Sequence, residues 1–318
     1  MRRVFFAFLL VSLAGAAQAQ TFPDRPVRLI VPYPAGGSLD TVARPLSQLF
    51  QEATGQPMVI DNRGGGNAVV GTDFVAKSRP DGYSILLGTS GPLAIARGLG
   101  TALPYDPGDV VPVTNLVNIP FTLFASTRMP ERTLAEIVAA ARARPDSITF
   151  GLPGQGSVGH LAQAMLSQAT DTRWLTVQYR GAALALNDMA AGTIALTFTT
   201  IASARPLIEA GHIRAVAVTG SRRTGAMPDL PSFGELGYPQ VNAPLWIGAM
   251  VPRGTPAPVI ERLHAILSAA MATPVMRAAM APVGADISGD GPAAFAAMLR
   301  EDDERWGTVI RRGNIRLE

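Results

Sequence analysis

Arg28-Leu29-Ile30-Val31-Pro32, followed by Tyr33-Pro34-Ala35-Gly36-Gly37-Ser38-Leu39-Asp40-Thr41, decides the fold. A short apolar run that ends in Pro and Gly and opens into a helix-forming segment is a strand-to-helix turn. The spacing predicts a strand over 28–32 and a helix from Ser38 to about Ala53, with Ser38 as N-cap and Asp40 in the first turn, where an acid suits the helix dipole. Pro45 inside that helix removes one backbone donor and is expected to kink it. Outward from this turn, a strand over 58–62, a helix over 67–76 and a strand over 84–88 complete a βαβαβ series. That series means parallel strands with helices on both faces.

The pattern returns after a long extended run, 113–126, broken by Pro120. A helix is expected over 133–144 and a strand over 147–150, then the turn Gly151 to Gly156 and a helix over 157–168. Strands over 175–179, 194–199 and 213–218 alternate with helices over 182–191 and 203–210. A Pro- and Gly-rich connection at 228–241 leads to a second extended run at 245–251 and to helices over 256–271 and 292–310. The expected fold is therefore α/β, with two lobes of mainly parallel sheet flanked by helices. The ligand cleft lies between the lobes, beyond the carboxyl ends of the strands. The lobes are expected at 20–122 plus 243–318 and at 123–242.

Composition narrows the function. The 318 residues are 47% apolar with no Cys, which excludes a disordered chain, a disulfide-stapled fold, cysteine nucleophiles and thiolate metal sites. Lys77 is the sole lysine, and the basic residues form no run longer than a pair such as Arg222-Arg223 or Arg311-Arg312, so nothing marks a nucleic-acid surface. Met1-Arg2-Arg3, an apolar run at 4–14 and Ala17-Gln18-Ala19 have the form of a secretory signal peptide cleaved near Ala19. The apolar run is shorter than a bilayer span, so the mature chain is expected in the periplasm and not embedded in the membrane.

The chemistry-bearing residues gather at turns. Gly154-Gln155-Gly156-Ser157-Val158-Gly159 has the spacing of a dinucleotide fingerprint, but Tyr179-Arg180 stands where the following strand needs an acid. Neither Ser157 nor Ser90 sits in G-x-S-x-G, although an exported serine hydrolase using one of them stays open as an alternative. His160, His212 and His264 are too dispersed for a metal centre. No cofactor and no metal are expected. What the two turns offer is a pair of helix N-termini, whose unpaired backbone N–H groups and positive dipole ends favour an anion, with Ser38, Ser157 and His160 as further donors. Either turn alone reads equally well as a plain tight connection.

Thr21-Phe22-Pro23-Asp24-Arg25-Pro26-Val27-Arg28, with Tyr33-Pro34-Ala35-Gly36-Gly37, Asp61-Asn62-Arg63, Pro80-Asp81-Gly82-Tyr83, Gly88-Thr89-Ser90-Gly91, Leu103-Pro104-Tyr105-Asp106-Pro107, Gly156-Ser157 with His160-Leu161-Ala162, and Pro228-Asp229-Leu230-Pro231, resembles the Bug receptors. These are the periplasmic solute-binding components of tripartite tricarboxylate transporters. The resemblance covers essentially the whole mature chain. It implies a type II periplasmic-binding-protein fold that closes on a small organic carboxylate and delivers it to membrane permease subunits; a sensor docking with a membrane kinase would bind the same ligand. It also implies that the carboxylate is held between the loop of Ala35, Gly36, Gly37, Ser38, Asp40 and Thr41 and the loop of Gly154, Gln155, Gly156, Ser157 and His160. Thr89 and Ser90 form a third lining segment, with Asp188 and Thr199 near the cleft. The protein is expected to work as a monomer. Ala96-Arg97, Gln178, Ala195 and Thr199 depart from the family pattern, and the loss of acids on 194–199 leans toward a ligand without an amino group.

Overall fold

A computed structural model describes residues 22–316, so the leader and its cleavage point near Ala19 lie outside the described residues. Strand β1 (Val27–Val31), helix α1 (Ser38–Thr54), β2 (Met58–Asn62), α2 (Val69–Ala76) and β3 (Ser84–Gly88) form the opening series, with β1 parallel to both β2 and β3. Val27, Leu29 and Val31 pack with Leu39, Val42, Leu46 and Phe50 of α1, while Ile30 packs on the other side with Val75 of α2. Both faces of the strand are covered, which is why it reads as a continuous apolar run.

Two local expectations are corrected. Gly37, not Ser38, is the N-cap of α1, because Asp40 folds back and its Oδ2 accepts the Gly36 N–H at 2.8 Å. Ser38 is the first helical residue, and the helix continues through Pro45 without a break. Helix α2 begins at Val69 and not at Asn67, since Asn67 and Ala68 are left-handed, with φ of 52° and 74°.

The long run at 113–126 is two strands in two sheets. Strand β4 (Val110–Pro120) ends at Pro120, and after Phe121 the chain enters β5 (Thr122–Ser126). Helix α3 (Leu134–Ala143), β6 (Thr149–Leu152), α4 (Val158–Thr170), β7 (Leu175–Gln178), α5 (Ala182–Ala191), β8 (Leu196–Thr199), α6 (Ile201–Glu209) and β9 (Ile213–Val218) build the second sheet. The chain then returns through β10 (Pro244–Pro252) to the first, followed by α7 (Ala257–Met271), α8 (Pro274–Met280), β11 (Asp286–Asp290) and α9 (Pro292–Gly313). The sheets have strand orders β11-β4-β10-β3-β1-β2 and β7-β6-β8-β5-β9.

Each sheet is mixed where mainly parallel strands were expected. The βαβ units do pair in parallel, β6 with β7 and β8 as well as β1 with β2 and β3. The strands that cross between lobes pair antiparallel instead: β10 lies between β3 and β4, and β5 between β8 and β9. A strand that returns directly from the other lobe has no crossover helix to reverse it, so it must run antiparallel.

Helix α9 spans the two cores. Phe295 meets Trp246 of β10 edge to face at 5.4 Å, whereas Trp306, Val309 and Ile310 belong to the core built by Leu161, Met165 and Phe150 of the other lobe. Among the described residues no single helix is long and apolar enough to cross a membrane.

Candidate functional site

The two turns belong to different lobes, and each meets a residue of the opposite one: Ser38 stands by Thr200, and Gly156 by Asn67. In the first, Gly36 at φ +91° lets the chain reverse between β1 and α1, leaving Ala35, Gly36 and Gly37 exposed at the rim. Asp40 beneath them is 3% exposed. Its carboxylate accepts from the Gly36 N–H at 2.8 Å, Asn62 Nδ2 at 3.0 Å and Arg44 Nη2 at 3.0 Å. Burial alone raises its pKa, but these bonds outweigh it and hold the carboxyl below its ordinary value. Asp40 is thus spent on shaping the turn. Thr41 sits half-buried in the same first helical turn.

The second turn is organised by His160. Gly156, at φ +70°, donates its N–H to His160 Nδ1 at 3.1 Å, and the His160 N–H is in turn capped by Ser157 Oγ at 3.3 Å. Burial depresses the His160 pKa, which favours the neutral ring, and the bond to Nδ1 then places the remaining proton on Nε2. Gln155 is exposed, Gly154 half-buried and Gly156 buried. Ser157 Oγ meets the backbone of His160, and the imidazole Nδ1 accepts from Gly156, so the structure does not pair Ser157 with His160 as nucleophile and base. Neither atom is free to pass a proton to the other.

Thr89 and Ser90, at the end of β3, form the floor. Thr89 is 1% exposed with its Oγ1 3.4 Å from the buried Tyr33 hydroxyl, whose pKa burial raises. Ser90 leads into a single π-helical turn, Gly91–Ile95, a distortion frequent at functional sites. Thr199 ends β8 at 3% exposure, paired with Thr122. Asp188 is bonded within its own lobe. It lies in the last turn of α5, where its Oδ2 accepts the Tyr179 hydroxyl at 2.7 Å, and that bond pushes the tyrosine up to about 12 after burial has raised it.

Two residues outside the expected set span the cleft. Thr200, the N-cap of α6, stands with its Oγ1 3.4 Å from Ser38 Oγ, and Asn67 Nδ2 donates to the Gly156 carbonyl at 3.4 Å. Thr200 was readable as a hydroxyl residue before a helical run. Asn67 was not, because its role depends on a left-handed φ of 52°, a conformation Asn adopts more readily than most residues but does not announce in sequence.

The chain as a whole matches a known family. The model for the tripartite tricarboxylate transporter family receptor covers residues 42–315. The chain belongs to that family. It is a periplasmic-type solute-binding protein and not an enzyme. The periplasmic binding protein BugD is 32% identical, with a TM-score of 0.82 over 93% of this chain and 100% of that one. Rpa4515 of R. palustris, solved with adipate, is 32% identical at TM-score 0.86, over 93% and 99% of the two chains. MatC of Rhodopseudomonas palustris, solved with bound malate, is 29% identical at TM-score 0.81, over 91% and 100%.

Proposed function

We propose that this receptor captures a small organic carboxylate between two lobes, 20–122 plus 243–318 and 123–242, and hands it to the permease subunits of a tripartite transporter from the periplasm. The observation that carries the reading is that both turns, Gly36-Gly37-Ser38 and Gly154 to Ser157, bond to the opposite lobe, Ser38 to Thr200 and Gly156 to Asn67. A carboxylate seated there would meet backbone N–H groups at two helix N-termini, the Ser38 hydroxyl and the His160 Nε2–H, while Thr89 and Ser90 close the floor. Charge-assisted hydrogen bonds contribute about 1.5–3 kcal/mol each, so four to six would reach the ~8 kcal/mol of a micromolar complex after losses. The adipate and malate of two neighbours support a carboxylate as the ligand class. No acid reaches the cleft from β8, so a ligand amino group would find no counter-ion there.

A melting-temperature screen of benzoate, malate, adipate and citrate tests the reading. An acid at 100 times its Kd adds about 2.7 kcal/mol, which corresponds to several degrees for a protein of this size. A melting point unmoved by every acid at millimolar concentration refutes carboxylate capture.

A further inference from the structure

Beneath the cleft floor lies a carboxylate that ligand capture does not use directly. Asp302, on α9, is 1% exposed. Its Oδ2 accepts the indole N–H of Trp246 at 2.8 Å, and its Oδ1 accepts Arg305 Nη1 at 3.1 Å. Trp246 belongs to β10, two residues after the strand begins on its return from the other lobe. Two further buried donors stand beside Asp302 without closing a normal hydrogen bond: Ser90 Oγ, at the floor, and Trp306 Nε1, on the turn of α9 that enters the core of the other lobe. Next along the floor, the space above Gly91 is bounded by Asn67 and the Tyr33 hydroxyl, and Asn67 makes the bond to Gly156. A single buried acid therefore touches or faces the crossing strand, the floor and the helix that reaches both cores. A buried charge with this many donors around it and two unspent is costly as mere scaffold, since an apolar residue of similar size would avoid the desolvation.

We propose that Asp302 is a positioning residue for the ligand cleft: through Trp246 and Ser90 it ties the floor and the crossing strand to the C-terminal helix, so that the floor moves with the lobes as they close. The proposal rests on the carboxylate-capture reading above. The surroundings make Asp302 the one ionisable group at this point. Its only charged neighbour is Arg305, on its own helix. Strands β4 and β10 and the π-helical turn carry no charged residue, α4 carries only His160, and Arg97 of the next turn is paired with Asp303. Burial raises the Asp302 pKa, opposed by the bond from Trp246, the neighbouring Ser90 hydroxyl and the charge of Arg305. The folded protein thus favours the neutral form more than water does, and the stability carried by this group falls as pH rises through its raised value.

That sign separates positioning from scaffolding. In Asp302→Asn the amide keeps one acceptor, for Trp246, and removes the buried charge. The variant is expected to melt at or above the wild-type temperature at pH 7 yet bind the tightest acid of the benzoate, malate, adipate and citrate panel about tenfold more weakly by calorimetry. In ligand-free protein, the change of tryptophan emission with pH that Trp246 and Trp306 report should be present in wild type and absent in the variant. Trp246→Phe, which removes the indole donor to Asp302 without touching the ligand lining, should weaken binding in the same direction, and it decides the matter if Asp302→Asn fails to fold. Wild-type affinity in a folded Asp302→Asn protein overturns the proposal. So does parallel loss of stability and affinity in that variant with unchanged binding in Trp246→Phe. Wild-type protein that binds none of the four acids overturns the carboxylate reading instead, which keeps the two failures apart.

Discussion

At Asp40, burial and hydrogen bonding pull in opposite directions, and the bonds win. The folded pKa lies below its unfolded value, so the stability this residue adds is present above the ordinary carboxylate range and lost as pH falls through the depressed folded value. Asp40→Asn should lower the melting temperature at pH 7, by an amount equivalent to about 1–3 kcal/mol for an incompletely satisfied buried site. The gap from wild type should close in acid, a convergence that calorimetry at pH 7 and pH 3 would reveal. Gly37 tests the site itself. Its φ is −86°, and an added Cβ would meet nothing closer than the Pro34 carbonyl at 3.9 Å. Gly37→Val should therefore fold, with circular dichroism like wild type and a loss of about 1 kcal/mol from a poorer N-cap residue. Its branched side chain would fill the space of a carboxylate oxygen, so binding should fall below detection. Full affinity in the folded variant would remove this turn from the site.

Elements with strong local signals were legible from sequence alone, and those defined by long-range pairing were not. Thr133 with Glu136 forms a complete capping box, and α3 starts where that pattern places it. Helix α5 and strands β2, β3 and β9 likewise follow their apolar periodicity. Strand β11 was missed because Asp286-Ile287-Ser288-Gly289-Asp290 is polar and short, and it is a strand only through its pairing with β4. Helix α8 was missed because Pro274, which reads as a breaker, occupies the first helical position, where its lack of an N–H is harmless. At the site, the Gly and Ser turns could be read, since βα turns have local chemistry. The cross-cleft pairings could not, even though Thr200 reads as a helix cap, because only the folded chain brings Asn67 to Gly156 and Thr200 to Ser38. The cap of α4 makes an element-level test. Ser157→Ala removes the bond to the His160 N–H and should cost about 1 kcal/mol, a drop of about 2–4 °C. It should also weaken carboxylate binding by loosening the Gly156–His160 turn; a variant that melts lower while binding equally well would limit Ser157 to capping.

Away from the cleft the end of α9 joins the lobes, with Trp306, Val309 and Ile310 in the second core and the Val309 carbonyl accepting Gln168 Nε2 at 3.0 Å; across the cleft itself the lobes meet through few bonds. Across the cleft stand Ser38 with Thr200 and Asn67 with Gly156, both at 3.4 Å, and at the rim Arg205 donates to the Pro282 carbonyl. Neutral hydrogen bonds contribute about 0.5–1.5 kcal/mol each, so these contacts together hold the closed state by only a few kcal/mol. Ordering the lobes against each other opposes that gain. A shift from mostly open to mostly closed needs about 5.5 kcal/mol of differential affinity, within reach of a carboxylate bonded to both turns. The chain passes between the lobes at two places. One is Phe121, whose carbonyl accepts the Thr219 N–H at 2.8 Å; the other is the stretch just before Pro244, where Thr219 Oγ1 donates to the Ala243 carbonyl at 3.4 Å. Ile247 lies further in, at a bulge where β10 is already paired with β4. Solution scattering should therefore show a smaller radius of gyration when the tightest-binding acid saturates the protein. Thr200→Val, which deletes a cross-cleft hydroxyl, should leave the ligand-free profile at least as extended as wild type. It should weaken binding a few-fold, chiefly through faster dissociation, because the bond forms only once the lobes have met. If the saturated and empty profiles overlay in wild type, and Thr200→Val binds as tightly, the site is preformed and closure plays no part in capture.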